Sequence, residues 1–267
     1  YVVDMCAGTC SALRYHLQSD TSAQGLAIDI LPYNEVIKHI PVGMRDRFHY
    51  VQRDIKSISF DDMRKILYDT WHISADCVDH WHASVPCQSY SLAHHGRNFH
   101  RHGITPLTDS ARLHDRILEH TITLLRDIVR ISPRTLVSLE NPTSLFQDMP
   151  IVKQCAADAG WLLLPESHYC ANTNDADGAF PKKPTTFLLY GVAPEFRLGI
   201  CNNDCPHRIS DDSVLHKLVL CRHWNTHPQQ TVVSDVSMKG RIPTKVFDDL
   251  WYAHRDHVRM SARPTTS

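Results

Sequence analysis

Short apolar runs alternate with helix-period stretches over the first 170 residues of this chain, and that alternation restricts the fold more than any other feature. Residues 1–5 read as a strand, followed by a small-residue turn and an amphipathic helix over 11–18. Residues 25–30 read as a second strand, 36–40 lie in a short helix, and 49–52 form a third strand ending at Arg53-Asp54-Ile55. A helix over 61–70 leads into an apolar segment containing Cys77, Val78 and Trp81, which reads as a strand. Leu113, Ile117, Ile122, Leu125 and Ile128 recur at helical spacing within 108–131. Strands over 134–139 and 161–164 follow, the second after a helix over 151–159. Such a series implies an α/β fold, Rossmann-like, with a mostly parallel sheet, helices on both faces and right-handed crossovers. In sheets of this kind, ligands bind beyond the carboxyl ends of the strands.

After residue 165 the pattern loosens. Residues 172–178 are a polar loop, 185–190 read as one more strand, and 197–235 are rich in Cys, His, Asn and Asp. Val246, Phe247, Leu250 and Trp251 mark a terminal helix over 244–254. The expected organisation is a catalytic, cofactor-binding domain over 1–170 and a small irregular substrate-side region over 171–238. A C-terminal segment over 239–267 then returns to the first domain. A chain of 267 residues can bury roughly three quarters of its unfolded surface, enough for one large domain with an appendage. It begins at Tyr1 and not at methionine, so it reads as a domain cut from something longer. A monomer, or part of a larger polypeptide, is the expected state. No apolar run approaches the ~20 residues of a membrane-spanning helix, and no membrane partner is expected. Nine scattered cysteines make a poor disulfide framework, which favours a reducing, intracellular setting, nucleus or cytoplasm. With a formal charge of -1, a nucleic-acid partner would need a local basic patch.

Two strings carry the chemistry. Ser84-Val85-Pro86-Cys87-Gln88-Ser89-Tyr90-Ser91 sets a cysteine in a turn just past a strand, and Leu136-Val137-Ser138-Leu139-Glu140-Asn141-Pro142 ends a strand in polar groups. In a parallel sheet, Cys87 and Glu140 meet on one edge. That pairing suits thiolate attack on a pyrimidine ring, with the carboxyl group protonating a ring nitrogen. The first strand-turn, Asp4-Met5-Cys6-Ala7-Gly8-Thr9-Cys10-Ser11, has the shape of a nucleotide-binding turn opening onto a helix N-terminus. Asp29, about 20 residues on, is placed to accept ribose hydroxyls, and Asp54 with Ile55 follows the third strand, where Asp54 can accept from an adenine amino group.

This set resembles the cytosine-C5 DNA methyltransferase family, in the short form of phage and virus type. Asp4–Ser11 resembles its first motif, Asp29 and Asp54 its second and third, Pro86-Cys87-Gln88 its nucleophile motif and Glu140-Asn141-Pro142 its glutamate motif. Phe180-Pro181-Lys182-Lys183-Pro184-Thr185-Thr186 looks like a Lys-Pro-Thr variant of a later motif, and Gly240-Arg241-Ile242-Pro243 like the closing one. The resemblance implies an enzyme that takes a methyl group from S-adenosylmethionine and places it on C5 of cytosine. DNA, with the target base flipped out of the duplex, is the expected polymer. It assigns catalysis to Cys87, Glu140 and Lys183. It assigns cofactor binding to Asp4, Ala7, Gly8, Thr9, Asp29, Asp54, Ile55 and Pro86, and nucleic-acid contacts to Gln88 and Ser91. Residues 94–102, directly after the nucleophile string, are locally basic, and their Arg97 and Arg101 suit phosphate contacts. The chain departs from the family at Cys10, where a glycine is usual, and in lacking the arginine near the base, for which Lys183 is the candidate replacement.

Cys201, Cys205, Cys221 and His223 could bind a structural zinc ion tetrahedrally, although their spacing matches no known finger. Three other readings remain open from the sequence. One keeps the chemistry on RNA, one is a catalytically silent domain of the same fold, and one is a nicotinamide oxidoreductase, which gives Cys87 and Glu140 no role.

Overall fold

The computed structural model describes residues 1–90, 100–172, 184–200 and 242–262. Its main strands are β1 (Val2–Met5), β2 (Gly25–Asp29), β3 (Phe48–Gln52) and β4 (His80–Ser84). The two-residue strands β5 (Arg101–His102) and β6 (Thr105–Pro106) form a separate antiparallel ribbon. Then come β7 (Leu136–Pro142), β8 (Trp161–His168) and β9 (Pro184–Tyr190). The seven main strands form one sheet in the order β3-β2-β1-β4-β7-β9-β8. β1, β2, β3, β4 and β7 pair in parallel. β9 runs against both β7 and β8, so β8 shares the common direction and β9 alone is reversed.

The α-helices are α1 (Ser11–Ser19), α2 (Tyr33–Ile37), α3 (Phe60–Trp71), α4 (Asp109–Ile131), α5 (Pro150–Ala156) and α6 (Thr244–Ser261). A reciprocal capping box between Ser59 and Asp62 starts α3, and the Thr108 hydroxyl accepts from Ala111 N to start α4. The mostly parallel α/β sheet expected from the sequence is present, with local corrections. Cys77 closes a 3-10 turn (Ala75–Cys77), so β4 begins only at His80. α2 lies three residues earlier than expected, α5 ends at Ala156, and α6 continues to Ser261. β9, from the span expected to be a substrate-side region, lies within the sheet between β7 and the edge strand β8. No helix among the described residues is long and apolar enough to cross a membrane.

The two faces of the sheet differ. Val3, Met5, Trp81, Ala83, Val137, Leu139 and Leu188 point to one face and pack with Met63, Leu67, Leu118, Ile122, Leu125 and Val152 of α3, α4 and α5. The opposite face is covered by α1 and α6, where Tyr15 stacks on Phe247 at 5.8 Å and donates to Asp248 at 2.8 Å. Strands of a buried parallel sheet are usually almost wholly apolar. Here the α1/α6 face instead carries His80 and His82 from β4 and Ser138 from β7, each 0–1% exposed. His16 of α1 completes the set.

These groups satisfy one another. His16 Nε2 meets His80 Nδ1 at 2.8 Å, and His80 Nε2 meets Ser138 Oγ at 2.7 Å. His82 Nδ1 meets the same Ser138 Oγ at 2.8 Å, and His82 Nε2 meets Ser84 Oγ at 3.0 Å. Burial disfavours the charged form of all three rings. It lowers His80 well below its ordinary value, His82 to about 4 and His16 to about 3.

An imidazole held neutral in the fold stabilises it fully above the unfolded pKa of about 6.5. Below that, the unfolded chain takes up the proton first, and stability is lost as pH falls toward the folded values. Asp4 acts in the opposite sense, because burial and the charge of Asp29 raise its pKa. With three rings set against one carboxylate, unfolding free energy falls between pH 6.5 and 4. The slope approaches about 1.4 kcal/mol per pH unit for each ring that stays neutral. Urea titrations at pH 7.5, 6 and 5 measure this, and equal stability at all three contradicts neutral buried rings.

Candidate active site

Strand order reverses beside β1, whose neighbours are β2 and β4, so the crevice for a ligand opens beyond the carboxyl ends of β1 and β4. The turn after β1 holds Cys6, Gly8 and Cys10 at φ of 54°, 46° and 52°. Two of these left-handed residues carry side chains, at a cost of about 1–2 kcal/mol each. Three inverted residues in five fold the chain tightly around Ala7. Cys10 N donates to Ala7 O at 2.6 Å and Ala7 N to Ile28 O at 3.3 Å. Cys10 caps α1 without a side-chain hydrogen bond, which leaves the first backbone N–H groups of the helix uncapped by it. A Cβ built on Gly8 would meet nothing closer than Cys6 O at 3.9 Å, so the backbone there faces open space.

Asp29 ties this turn to the end of β2. Its carboxylate accepts from Gly8 N at 2.9 Å and from Leu31 N at 2.9 Å. Ile30, Leu31 and Tyr33 stand exposed beside it and offer apolar surface. Asp54 sits just past β3, where its carboxylate accepts from Lys56 N at 3.0 Å, and Ile55 beside it is buried. Asp4 is 1% exposed, and neither of its oxygens meets a donor at normal hydrogen-bond geometry. Desolvation and the Asp29 charge push its pKa up, with the Leu13 backbone N–H working the other way. Thr9 pairs its hydroxyl with Ser11 Oγ at 3.1 Å, and Ile242 N donates to that same Ser11 oxygen at 3.1 Å. The C-terminal segment thus returns to the first turn.

The second half of the crevice comes from β4 and β7. Five matched pairs hold these strands in parallel, and the last sets Ser84 beside Glu140. Cys87 follows three residues later, half-buried, in a turn closed by Tyr90 N donating to Cys87 O at 2.9 Å. Asn141 Nδ2 donates to Val85 O at 3.0 Å, so the residue after the glutamate grips the chain just before Pro86 and the cysteine. Glu140 is 6% exposed, and its Oε1 accepts from the Tyr169 hydroxyl at 2.7 Å. Desolvation first, then the Glu140 charge, raise the Tyr169 pKa, which keeps that hydroxyl a donor. Cys87 acts on it in the same direction. Burial also raises Cys6 and Cys10, and takes Cys155 to about 12, holding these three as inert thiols.

Arg101 requires a correction. Expected to reach toward phosphate, its side chain is 1% exposed and paired with Asp115. Its Nε donates to Ser89 O at 3.0 Å, and its guanidinium lies 4.5 Å above the Tyr90 ring. Arg101 therefore fastens the turn after Cys87 to α4. Gln88 is exposed and Pro86 half-buried at the same edge. Ser91, Arg97, Lys183 and the candidate zinc ligands Cys201, Cys205, Cys221 and His223 lie outside the described residues. Among the described residues, no cluster of three or more His, Cys, Asp or Glu could hold a metal. Sequence reasoning missed Tyr169 altogether. Its place one residue past β8 was the available signal, because β8 was expected to end at Leu164 and not at His168.

No protein-family model matches the chain, and no curated protein matches it. Solved structures that match the chain include an uncharacterised protein from Listeria monocytogenes serotype 4b, 10% identical, covering 75% of this chain and 64% of its own, TM-score 0.34. An antibiotic-related methyltransferase is 14% identical over 71% of this chain and 86% of its own, TM-score 0.37. An O-methyltransferase from neocarzinostatin biosynthesis, solved with S-adenosylmethionine, is 11% identical over 70% and 47%, TM-score 0.35. The chain spans less than two thirds of the length of the first and third of these.

Two substitutions measure how firmly the site is built. Asp115→Ala leaves a buried, unpaired guanidinium and is expected to cost about 3–5 kcal/mol by urea denaturation; a loss below about 1 kcal/mol contradicts the anchoring role of Arg101. Tyr169→Phe removes the hydrogen bond to the buried Glu140 carboxyl group and leaves its oxygen without that donor, for an expected loss of about 1–2 kcal/mol. No change in the same measurement means that Glu140 does not depend on Tyr169.

Proposed function

We propose that this chain is an S-adenosylmethionine-dependent methyltransferase acting on C5 of cytosine in DNA. The observation that carries the reading is the pairing of a Pro-Cys-Gln turn and a buried glutamate on neighbouring parallel strands. Asn141 and Tyr169 hold the two in place. The β1 turn suits the cofactor: its backbone is open at Gly8, the α1 N-terminus is uncapped by a side chain, Asp29 ends β2 and Asp54 lies just past β3. Asp29 would take the ribose hydroxyls, Asp54 with Ile55 the adenine edge, and Ala7, Gly8, Thr9 and Pro86 the remaining wall. Ile30 and Leu31 supply an apolar surface for a purine. Bound there, S-adenosylmethionine supplies an electrophilic methyl group.

Cys87 adds as thiolate to C6 of the cytosine, forming an S–C6 bond while Glu140 gives its proton to N3. C5 becomes enamine-like and takes the methyl group. Loss of the C5 proton to water then reforms the double bond and expels the Cys87 thiolate, and the N3 proton returns to Glu140. The Tyr169 hydroxyl steadies Glu140 through both proton movements. Lys183, next in sequence to the start of β9, would add a cation beside the base, as a point charge where a guanidinium is more usual. A base inside a duplex must leave the stack to reach Cys87. Gln88, Ser91 and Arg97, in the turn and segment after the nucleophile, are the expected contacts to the polymer.

The test offers duplex DNA, single-stranded DNA and RNA, with S-adenosylmethionine tritiated on the methyl group, to the protein and to Cys87→Ser. DNA is expected to take up label, and Cys87→Ser to lose about 10³-fold or more of the rate with its cofactor dissociation constant unchanged. Label in RNA alone moves the substrate to RNA. Equal turnover by Cys87→Ser removes the thiolate mechanism, and cofactor binding without label in any polymer makes this a silent domain.

A further inference from the structure

The proposed reaction leaves the buried histidines of the α1/α6 face unused. A core needing only volume would carry Val or Ile at these positions, as buried parallel strands do. β4 instead reads His-Trp-His-Ala-Ser, and its two histidines join His16, Ser138 and Ser84 in one unbroken line of hydrogen bonds. The line has two ends. Ser84 is half-buried at the carboxyl edge, in register with Glu140 and on the same face of the sheet. His16 lines a cavity of about 490 Å³ at the opposite, amino edge, with Tyr15, Asp79, Asp248 and Trp251.

We propose that Ser84, His82, Ser138, His80 and His16 form a proton relay through the core, linking the Glu140 edge to the amino-edge cavity. The step balances proton by proton. Ser84 gives its hydroxyl proton to His82 Nε2 and takes another from the carboxyl edge. His82 passes its Nδ1 proton to Ser138, and Ser138 passes its own to His80 Nε2. His80 passes its Nδ1 proton to His16 Nε2, and the Nδ1 proton of His16 leaves to the cavity. One proton has crossed, and all three rings have changed from the Nδ1–H to the Nε2–H tautomer. The reverse transfer restores the first state without turning any ring. That reciprocating motion suits the Glu140 edge: a proton drawn up the line fills the carboxylate while N3 holds its own, and runs back down the line when N3 returns that proton to Glu140. Charged and titratable groups face the line from every side. Asp4 lies beside His82 on β1, and Glu140 raises the proton affinity of His82 from β7. His254 of α6 opposes protonation of His80, while the Tyr1 amino group opposes and Asp20 favours protonation of His16. Asp248 and Arg255 border the cavity.

The relay makes a demand that mere packing does not. Proton transfer along the line requires all three rings to hold the same tautomer, since each serine hydroxyl donates once. In the competing arrangement Ser138 accepts from both neighbours, with His80 as Nε2–H and His82 as Nδ1–H, and nothing can pass. Two-bond ¹⁵N–¹H NMR of the ¹⁵N-histidine-labelled protein distinguishes these, with His16→Gln, His80→Gln and His82→Gln spectra identifying the signals. One shared tautomer is expected; any mixture among the three overturns the relay, whether or not the protein transfers methyl groups.

A kinetic arm rests on the function proposed above. Ser138→Ala breaks the line with the loss of one oxygen and is expected to lower kcat about tenfold or more, with the cofactor dissociation constant unchanged. Imidazole in the buffer should restore the rate. An unchanged kcat, or a loss that imidazole does not restore, overturns the relay. Absence of methyl transfer by the unsubstituted protein counts against the function alone, and the NMR pattern then decides the relay.

Discussion

Five register-matched pairs between β4 and β7, from His80–Leu136 to Ser84–Glu140, fix where the chemistry of this chain can occur. Parallel pairing brings both carboxyl ends to one edge, so a turn leaving β4 and a polar strand end on β7 must meet there. A shift of one residue along either strand would send Glu140 to the α3/α4 face and His82 out of reach of Ser138. Asn141 reinforces the register by donating to Val85, and Arg101 fastens the next residues of the turn to α4 through Ser89 and Asp115. Cys87 is thus held from both sides by groups that do not themselves react.

The same pairing organises the interior. Because alternate residues share a face, the in-register glutamate and serine continue a polar line that begins with His16 and runs through β4. Hydrogen bonding within the line makes burial of three histidines tolerable, and burial in turn keeps the rings neutral. The α1/α6 layer thereby acquires a pH sensitivity.

Much of this was legible in the sequence. Strand and helix periods located the sheet, because β-branched and aliphatic runs of four to six residues have few other uses in a soluble chain. Cys87, Glu140, Asp29 and the β1 turn stood out because each combined an unusual residue with a strand end. Cys10, read as a departure where glycine is usual, does occupy the left-handed conformation that glycine adopts without strain. Other features depend on contacts across long separations that periodicity does not encode. Tyr169 reaches Glu140 across 29 residues, and β9 inserts between β7 and β8 against sequence order. Arg101 misled for a related reason: a basic residue near a turn reads as exposed until its partner Asp115 on α4 is known.

The central claim is that Cys87 attacks a cytosine ring while Glu140 handles its proton. Its most direct test incubates the protein with S-adenosylmethionine and DNA carrying 5-fluorocytosine, from which the C5 substituent cannot leave as a proton. Digestion and mass spectrometry then locate any adduct. The peptide containing Cys87 is predicted to carry the methylated, fluorinated base, with Glu140→Gln slowing adduct formation and Cys87→Ser abolishing it. Intact Cys87 peptide, under conditions where both cofactor and DNA are bound, would contradict the mechanism.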